Sequence, residues 1–149
     1  MTRHEQATRY FGKRTGPASP TPTDTVGTGL TVLLVEDDGL VRAMTRLLLK
    51  RLGFTILEAA GGLEAVMLAR SQTAPIDLVV TDVVMPGAGG RHVAERLGEL
   101  RPGVKVLYMS GYTNDTVIQN GVALGEVNFL AKPFTPETFG RKVRAVLAL

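Results

Sequence analysis

The sequence predicts an α/β protein: a doubly wound, five-stranded parallel sheet with helices on both faces. Three features carry the prediction. Short apolar, β-rich runs alternate five times with stretches of helical period. The clearest runs, Val32-Leu33-Leu34-Val35 and Leu78-Val79-Val80, are apolar throughout, as strands buried on both sides are. Finally, a cluster of acids, a hydroxyl and a lysine fall at the carboxyl ends of these runs.

Residues 1–29 show no sustained period. Gly16-Pro17-Ala18-Ser19-Pro20-Thr21-Pro22-Thr23 has linker composition, unable to bury enough apolar surface to offset the entropy of ordering. A disordered tail or linker is expected over 1–29 and a single domain over 30–149. The first strand, Thr31 to Val35, ends in Glu36, Asp37 and Asp38. Leu40, Met44, Leu47, Leu48 and Leu52 then recur at helical spacing, with Arg42, Arg46, Lys50 and Arg51 largely on the other face. Asp38 suits the N-cap of that helix and Gly53 its stop. Phe54 to Ala59 is the second strand and Gly62 to Arg70 the second helix. The third strand is 77–82, and the third helix runs from about Gly90 to Leu100, closed by Pro102-Gly103. Val104 to Ser110 is the fourth strand, followed by a weak helix over Asn114 to Asn120. Val127 to Ala131 is a short fifth strand. Thr135, with Pro136 at the first helical position, opens a last helix to about Leu147.

Composition narrows the function. A chain of 149 residues with 44% hydrophobic content supports one domain with a full core. It has no cysteine, hence no disulfide framework, thiolate metal site or thiol nucleophile. No apolar run approaches the roughly 20 residues that span a bilayer, and the N-terminus lacks a signal-peptide core. A soluble, cytoplasmic protein with no membrane partner is expected. Of the net charge of +3, residues 1–29 supply two, from Arg3, Arg9, Lys13 and Arg14 against Glu5 and Asp24. No stretch interleaves dense basic residues with aromatics, so no nucleic-acid partner is expected.

The chemistry centres on Asp77 to Gly87, where an apolar strand runs into Asp82 and Pro86-Gly87 then turns the chain away. Singly, each polar residue has an ordinary explanation: a turn cap, a solvated helix N-terminus, a surface lysine. Jointly they point to a site, because ligands of doubly wound sheets bind beyond the carboxyl ends of the strands. In the order 2-1-3-4-5, strands one and three flank the crevice. Glu36-Asp37-Asp38 and Asp82 would converge there, with Ser110 and Lys132 from strands four and five. Crowded carboxylates raise one another's pKa unless a cation is present, and an oxygen-only set with room for water suits Mg²⁺.

Val35-Glu36-Asp37-Asp38 with Arg42, Asp82-Val83-Val84-Met85-Pro86-Gly87, Ser110-Gly111-Tyr112 and Lys132-Pro133-Phe134 together resemble the receiver domains of two-component response regulators. The likeness covers about residues 30–149 and is strongest to receivers at the C-terminal end of hybrid sensor histidine kinases. It implies the flavodoxin-like strand order, with Asp82 as phosphoacceptor. It further implies that Asp37 and Asp82 hold Mg²⁺ (Mn²⁺ as a substitute), with Glu36 acting through water and the Val84 carbonyl completing the protein ligands. Lys132 would pair with a phosphoryl oxygen, across a cis Lys132–Pro133 bond. Ser110 and Phe129 take the hydroxyl and aromatic switch positions.

The resemblance also implies partners: a sensor histidine kinase or phosphotransfer protein as donor, and a downstream protein meeting the fourth helix, fifth strand and last helix. The protein itself would be a monomer or weak homodimer. It would promote its own phosphorylation and dephosphorylation without being a turnover enzyme. Two other readings stay open: a pseudo-receiver that binds partners unphosphorylated, and the receiver end of a longer hybrid kinase with 12–29 as its linker. A phosphohydrolase with an aspartyl nucleophile is disfavoured, since Val84 stands where a second Asp is needed. His4 and His92 read as plain surface residues.

Overall fold

The computed structural model describes residues 25–111 and 128–149. Strands β1 (Thr31–Val35), β2 (Thr55–Ala59), β3 (Leu78–Asp82), β4 (Lys105–Ser110) and β5 (Phe129–Ala131) alternate with α1 (Gly39–Arg51), α2 (Gly62–Ser71) and α3 (Gly90–Leu100), and the C-terminal helix α4 (Pro136–Leu147) closes the chain. All strand pairs are parallel, in the order β2-β1-β3-β4-β5. The predicted architecture is therefore present. The helix expected over 114–120, Tyr112, His4 and all but the last five residues of the expected tail lie outside the described residues.

Burial on both sides of the sheet explains the unbroken apolar runs. Val32 and Leu34 of β1, with Val80, Leu107 and Met109, pack against Leu49, Phe139 and Val143 on the α1 and α4 side. Leu33 and Val35 face the other way, with Val79, onto Ala65, Val93 and Leu97 of α2 and α3. All four of these β1 side chains are fully buried. The caps fall where expected. The Asp38 carboxylate accepts from the Leu40 and Val41 amides at 2.9 and 3.1 Å, and Thr135 Oγ1 accepts from the Thr138 amide at 3.1 Å. Gly53 leaves α1 with φ +95°, a left-handed conformation that favours glycine.

The Gly27 amide donates to the Leu52 carbonyl at 2.7 Å and Val26 rests on the core, just ahead of the boundary expected near Gly29. One expectation needs correction: helix α1 is rotated from the pattern of its leucines. Thr45 and Leu49 are its buried residues, while Leu40, Met44 and Leu47 are 71%, 58% and 56% exposed. Thr45 tolerates burial because its hydroxyl donates to the Val41 carbonyl at 2.8 Å. Arg42 and Arg46 are drawn instead toward Glu58 of β2, with Arg46 at 3.1 Å.

Candidate functional site

Sheet order brings the polar residues together. Strands β1 and β3 are neighbours, with Val35 opposite Thr81, so Glu36 and Asp82 emerge side by side. Strand β4 lies against β3 and β5 against β4, with Ser110 opposite Ala131, and this delivers Ser110 and Lys132 to the same end. Helix α3 starts immediately behind. A Cβ on Gly90 would fall 1.9 Å from the Asp82 carbonyl oxygen, and the Gly90 amide donates to the Val83 carbonyl at 2.8 Å. Only glycine fits at that approach.

Asp82 and Glu36 are buried, at 5% and 1% exposure. Lys132 reaches between them, its Nζ 2.7 Å from Asp82 Oδ1 and 2.9 Å from Glu36 Oε1. Carboxylate oxygens of Glu36, Asp37 and Asp82 lie within 4.8 Å of one another, and Asp37 is exposed to solvent. This oxygen-only set, open to water at one ligand, fits a hard divalent cation. Asp38 is not part of the cluster, since capping α1 occupies its carboxylate.

Burial sets the electrostatics. It pushes the Asp82 carboxyl up, the hydrogen bond and charge of Glu36 push it further, and Lys132 only partly opposes them. The result is about 8 instead of 3.8. Burial also opposes ionisation of Glu36. Bonds from Asp82, Lys132 and the Asp38 amide outweigh it and hold Glu36 below 4.5. Lys132 is disfavoured as a cation by burial, yet its bonds to Asp82 and Glu36 raise it above 10.5. At neutral pH without a metal, the two carboxyls thus hold one proton and present a single negative charge to Lys132.

Several supports escaped sequence reasoning. Arg42 donates to the Glu36 carbonyl at 2.7 Å while its Nε lies 3.5 Å from Glu58, so the acidic loop is braced to the edge strand. Arg42 was visible only as a motif marker, and nothing near Glu58 in the sequence announces the brace. The Lys132 amide donates to the Ser110 carbonyl at 2.9 Å, the Lys132–Pro133 bond is cis as expected, and Phe134 stacks on Phe139 at 5.3 Å. Ser110 is buried at the end of β4. Half-buried Phe129 opens β5 and packs with Val84 and Tyr108 on Val83. Phe129 thus packs on Val83, the residue that follows Asp82.

Residues 32–144 match the model of the response regulator receiver domain family. Sensor kinase CckA of Brucella abortus (strain 2308) is 37% identical over 117 residues, covering 78% of this chain and 12% of that protein. A cyclic di-GMP phosphodiesterase of Thermotoga maritima is 30% identical over 118 residues, covering 79% of this chain and 31% of that protein. The chain thus spans a minor part of either relative. Among solved structures, the receiver domain from hybrid histidine kinase CckA superposes with a TM-score of 0.64 at 33% identity, over 78% of this chain and 98% of that one. Chemotaxis protein CheY4 of Vibrio cholerae gives 0.68 at 29% identity, over 79% and 98%.

Proposed function

The chain belongs to the response regulator receiver domain family of two-component signalling, and on that premise we propose that Asp82 is its phosphoacceptor. The observation that carries the proposal is a buried Asp82 held at 2.7 Å by Lys132, with the carboxylates of Glu36 and Asp37 beside it. A sensor histidine kinase or phosphotransfer protein is the donor, in the cytoplasm. A carboxylate oxygen of Asp82 attacks phosphorus and the phosphorus–nitrogen bond breaks. Its electron pair returns to the donor imidazole, which takes up a proton. Aspartate is a weak nucleophile, but this loose transition state needs chiefly positioning and neutralisation of charge. Lys132 supplies part of that neutralisation. Asp37 and Asp82, with Glu36 through water and the Val84 carbonyl, are the residues to hold Mg²⁺ or Mn²⁺, which when bound neutralises the remaining phosphoryl charge. The chain promotes its own phosphorylation and dephosphorylation and is not a turnover enzyme.

The acyl phosphate adds a charge of roughly −1.5 to −2 with three strong acceptors. Ser110 turns to donate to it and Phe129 fills the space released, altering a surface that includes β5 and α4 for a downstream protein. Mass spectrometry after incubation with phosphoramidate tests the reading. One phosphoryl group is expected, on Asp82, and only with a divalent cation. Labelling elsewhere points to another acceptor, and none favours an unphosphorylated binding module.

The rotation of α1 suggests where the donor docks. Leu40, Met44 and Leu47 make an exposed apolar stripe that begins two residues past Asp38, at the rim of the acid cluster. The triple variant Leu40→Ser/Met44→Ser/Leu47→Ser is expected to lose about tenfold or more in transfer from the cognate phosphohistidine donor. Its labelling by phosphoramidate should stay at the wild-type rate. Equal loss with both donors contradicts a docking role.

Val84 bears on how long the phosphoryl group lasts. It stands two residues past Asp82, half-buried among Val83, Tyr108 and Phe129, and offers no group to orient an attacking water. Tyr112, two residues past Ser110, lies outside the described residues. Slow self-dephosphorylation is expected, accelerated several-fold by Val84→Asn at saturating Mg²⁺. A wild type that already decays within seconds, or a variant no faster than it, contradicts this.

A further inference from the structure

On the opposite face from α1, a groove of about 370 Å³ opens between α2 and α3, closed at one end by Pro86-Gly87-Ala88. Val66 and Val93 form its buried floor. Leu63 and Met67, one helical turn apart on its wall, are 76% and 59% exposed. The helices close on each other at Gly62, where a Cβ would fall 2.7 Å from Val93 Cγ2 and 3.1 Å from Ala88 Cβ. Arg70, His92 and Arg96 complete the lining, and among the described residues no carboxylate lines it. Among the described residues Arg96 has a single long pair, to Glu99 at 3.9 Å, and Arg70 has no ion pair.

We propose that this groove docks an acidic amphipathic helix of a partner protein. Apolar side chains one turn apart on such a helix would cover Leu63 and Met67, and carboxylates beside them would meet Arg70, Arg96 and His92. Charge selects this occupant over two others. A second copy pairing through the same face would set Arg70 and Arg96 against their own kind. The chain's own N-terminal 24 residues, with Arg3, Arg9, Lys13 and Arg14 against Glu5 and Asp24, carry the same sign as the groove. The inference is independent of phosphorylation at Asp82.

The probe is a displayed library of random helical peptides, selected on the full chain and counter-selected on the double variant Leu63→Ser/Met67→Ser. Both substituted residues are exposed, so the variant should melt with the wild type, and matching melts establish that it is folded. Peptides depleted by the variant are expected to pair Asp or Glu with apolar residues at a spacing of three to four. Their affinity should fall about tenfold or more in Arg70→Glu and weaken as salt rises. Peptides of neutral or positive net charge, or no peptide whose binding depends on Leu63 and Met67, would overturn the proposal.

Discussion

Metal-free Asp82→Asn protein is expected to melt several degrees above the wild type at pH 8 and to lose a pH dependence that the wild type has. The sign follows from Asp82, whose carboxyl titrates near 8 in the folded chain against 3.8 in its absence. Between those values the native state holds a proton that the unfolded state has released, so stability falls as pH rises from about 4 to about 8. The slope approaches about 1.4 kcal/mol per pH unit at most. Glu36, held below 4.5, adds stability that is lost only as pH drops through that lower value. The contribution of Lys132, raised above 10.5, is lost only as pH climbs past it. Between pH 5 and 8 Asp82 alone among the three changes its proton count. Thermal melts of both proteins across that range decide the point, and equal slopes would contradict the assignment. Mg²⁺ should raise the wild-type melting temperature by mass action, by about 2.7 kcal/mol of stability at a hundred times its Kd, and should do little for Asp82→Asn.

Lys132→Ala should have the opposite effect. It removes the cation that lies within 2.9 Å of both Glu36 and Asp82 and leaves two buried carboxyls facing each other. Breaking a buried pair costs about 3–5 kcal/mol, and the partial exposure of Lys132 places this case toward the low end. The loss should be smaller at pH 5, where both carboxyls can take protons, than at pH 8. Adding Asp82→Asn should recover part of it, because one of the stranded charges is gone. Some labelling by phosphoramidate should persist, with a blunted conformational response. Additive, pH-independent effects of the two substitutions would mean that the three groups do not form one unit.

What the sequence made legible followed from strand ends. An apolar run in β1 leading into acids and an apolar run in β3 leading through Thr81 into Asp82 suffice to place both at one crevice, once the strands are parallel. Lys132 and Ser110 follow by the same logic. What depended on the third dimension was hidden. The inward face of α1 is set by how the helix lies on the sheet and by the pull of Glu58, 12 residues from Arg46. The exposed leucines were therefore indistinguishable from core leucines by spacing. Asp38 could serve a metal or a helix, and two backbone amides decided for the helix. Isolated His92 signalled nothing until Leu63, Met67 and Arg70 of another helix stood beside it.

The account rests on Asp82 accepting a phosphoryl group, and the most direct measurement is peptide mapping by mass spectrometry of wild type and Asp82→Asn after phosphoramidate treatment. With Mg²⁺, the wild type should carry one base-labile phosphoryl group on the peptide that contains Asp82, and with chelator none. Asp82→Asn should remain unlabelled in both. Undiminished labelling of Asp82→Asn, or a wild type that stays unmodified at saturating donor and Mg²⁺, would contradict the assignment.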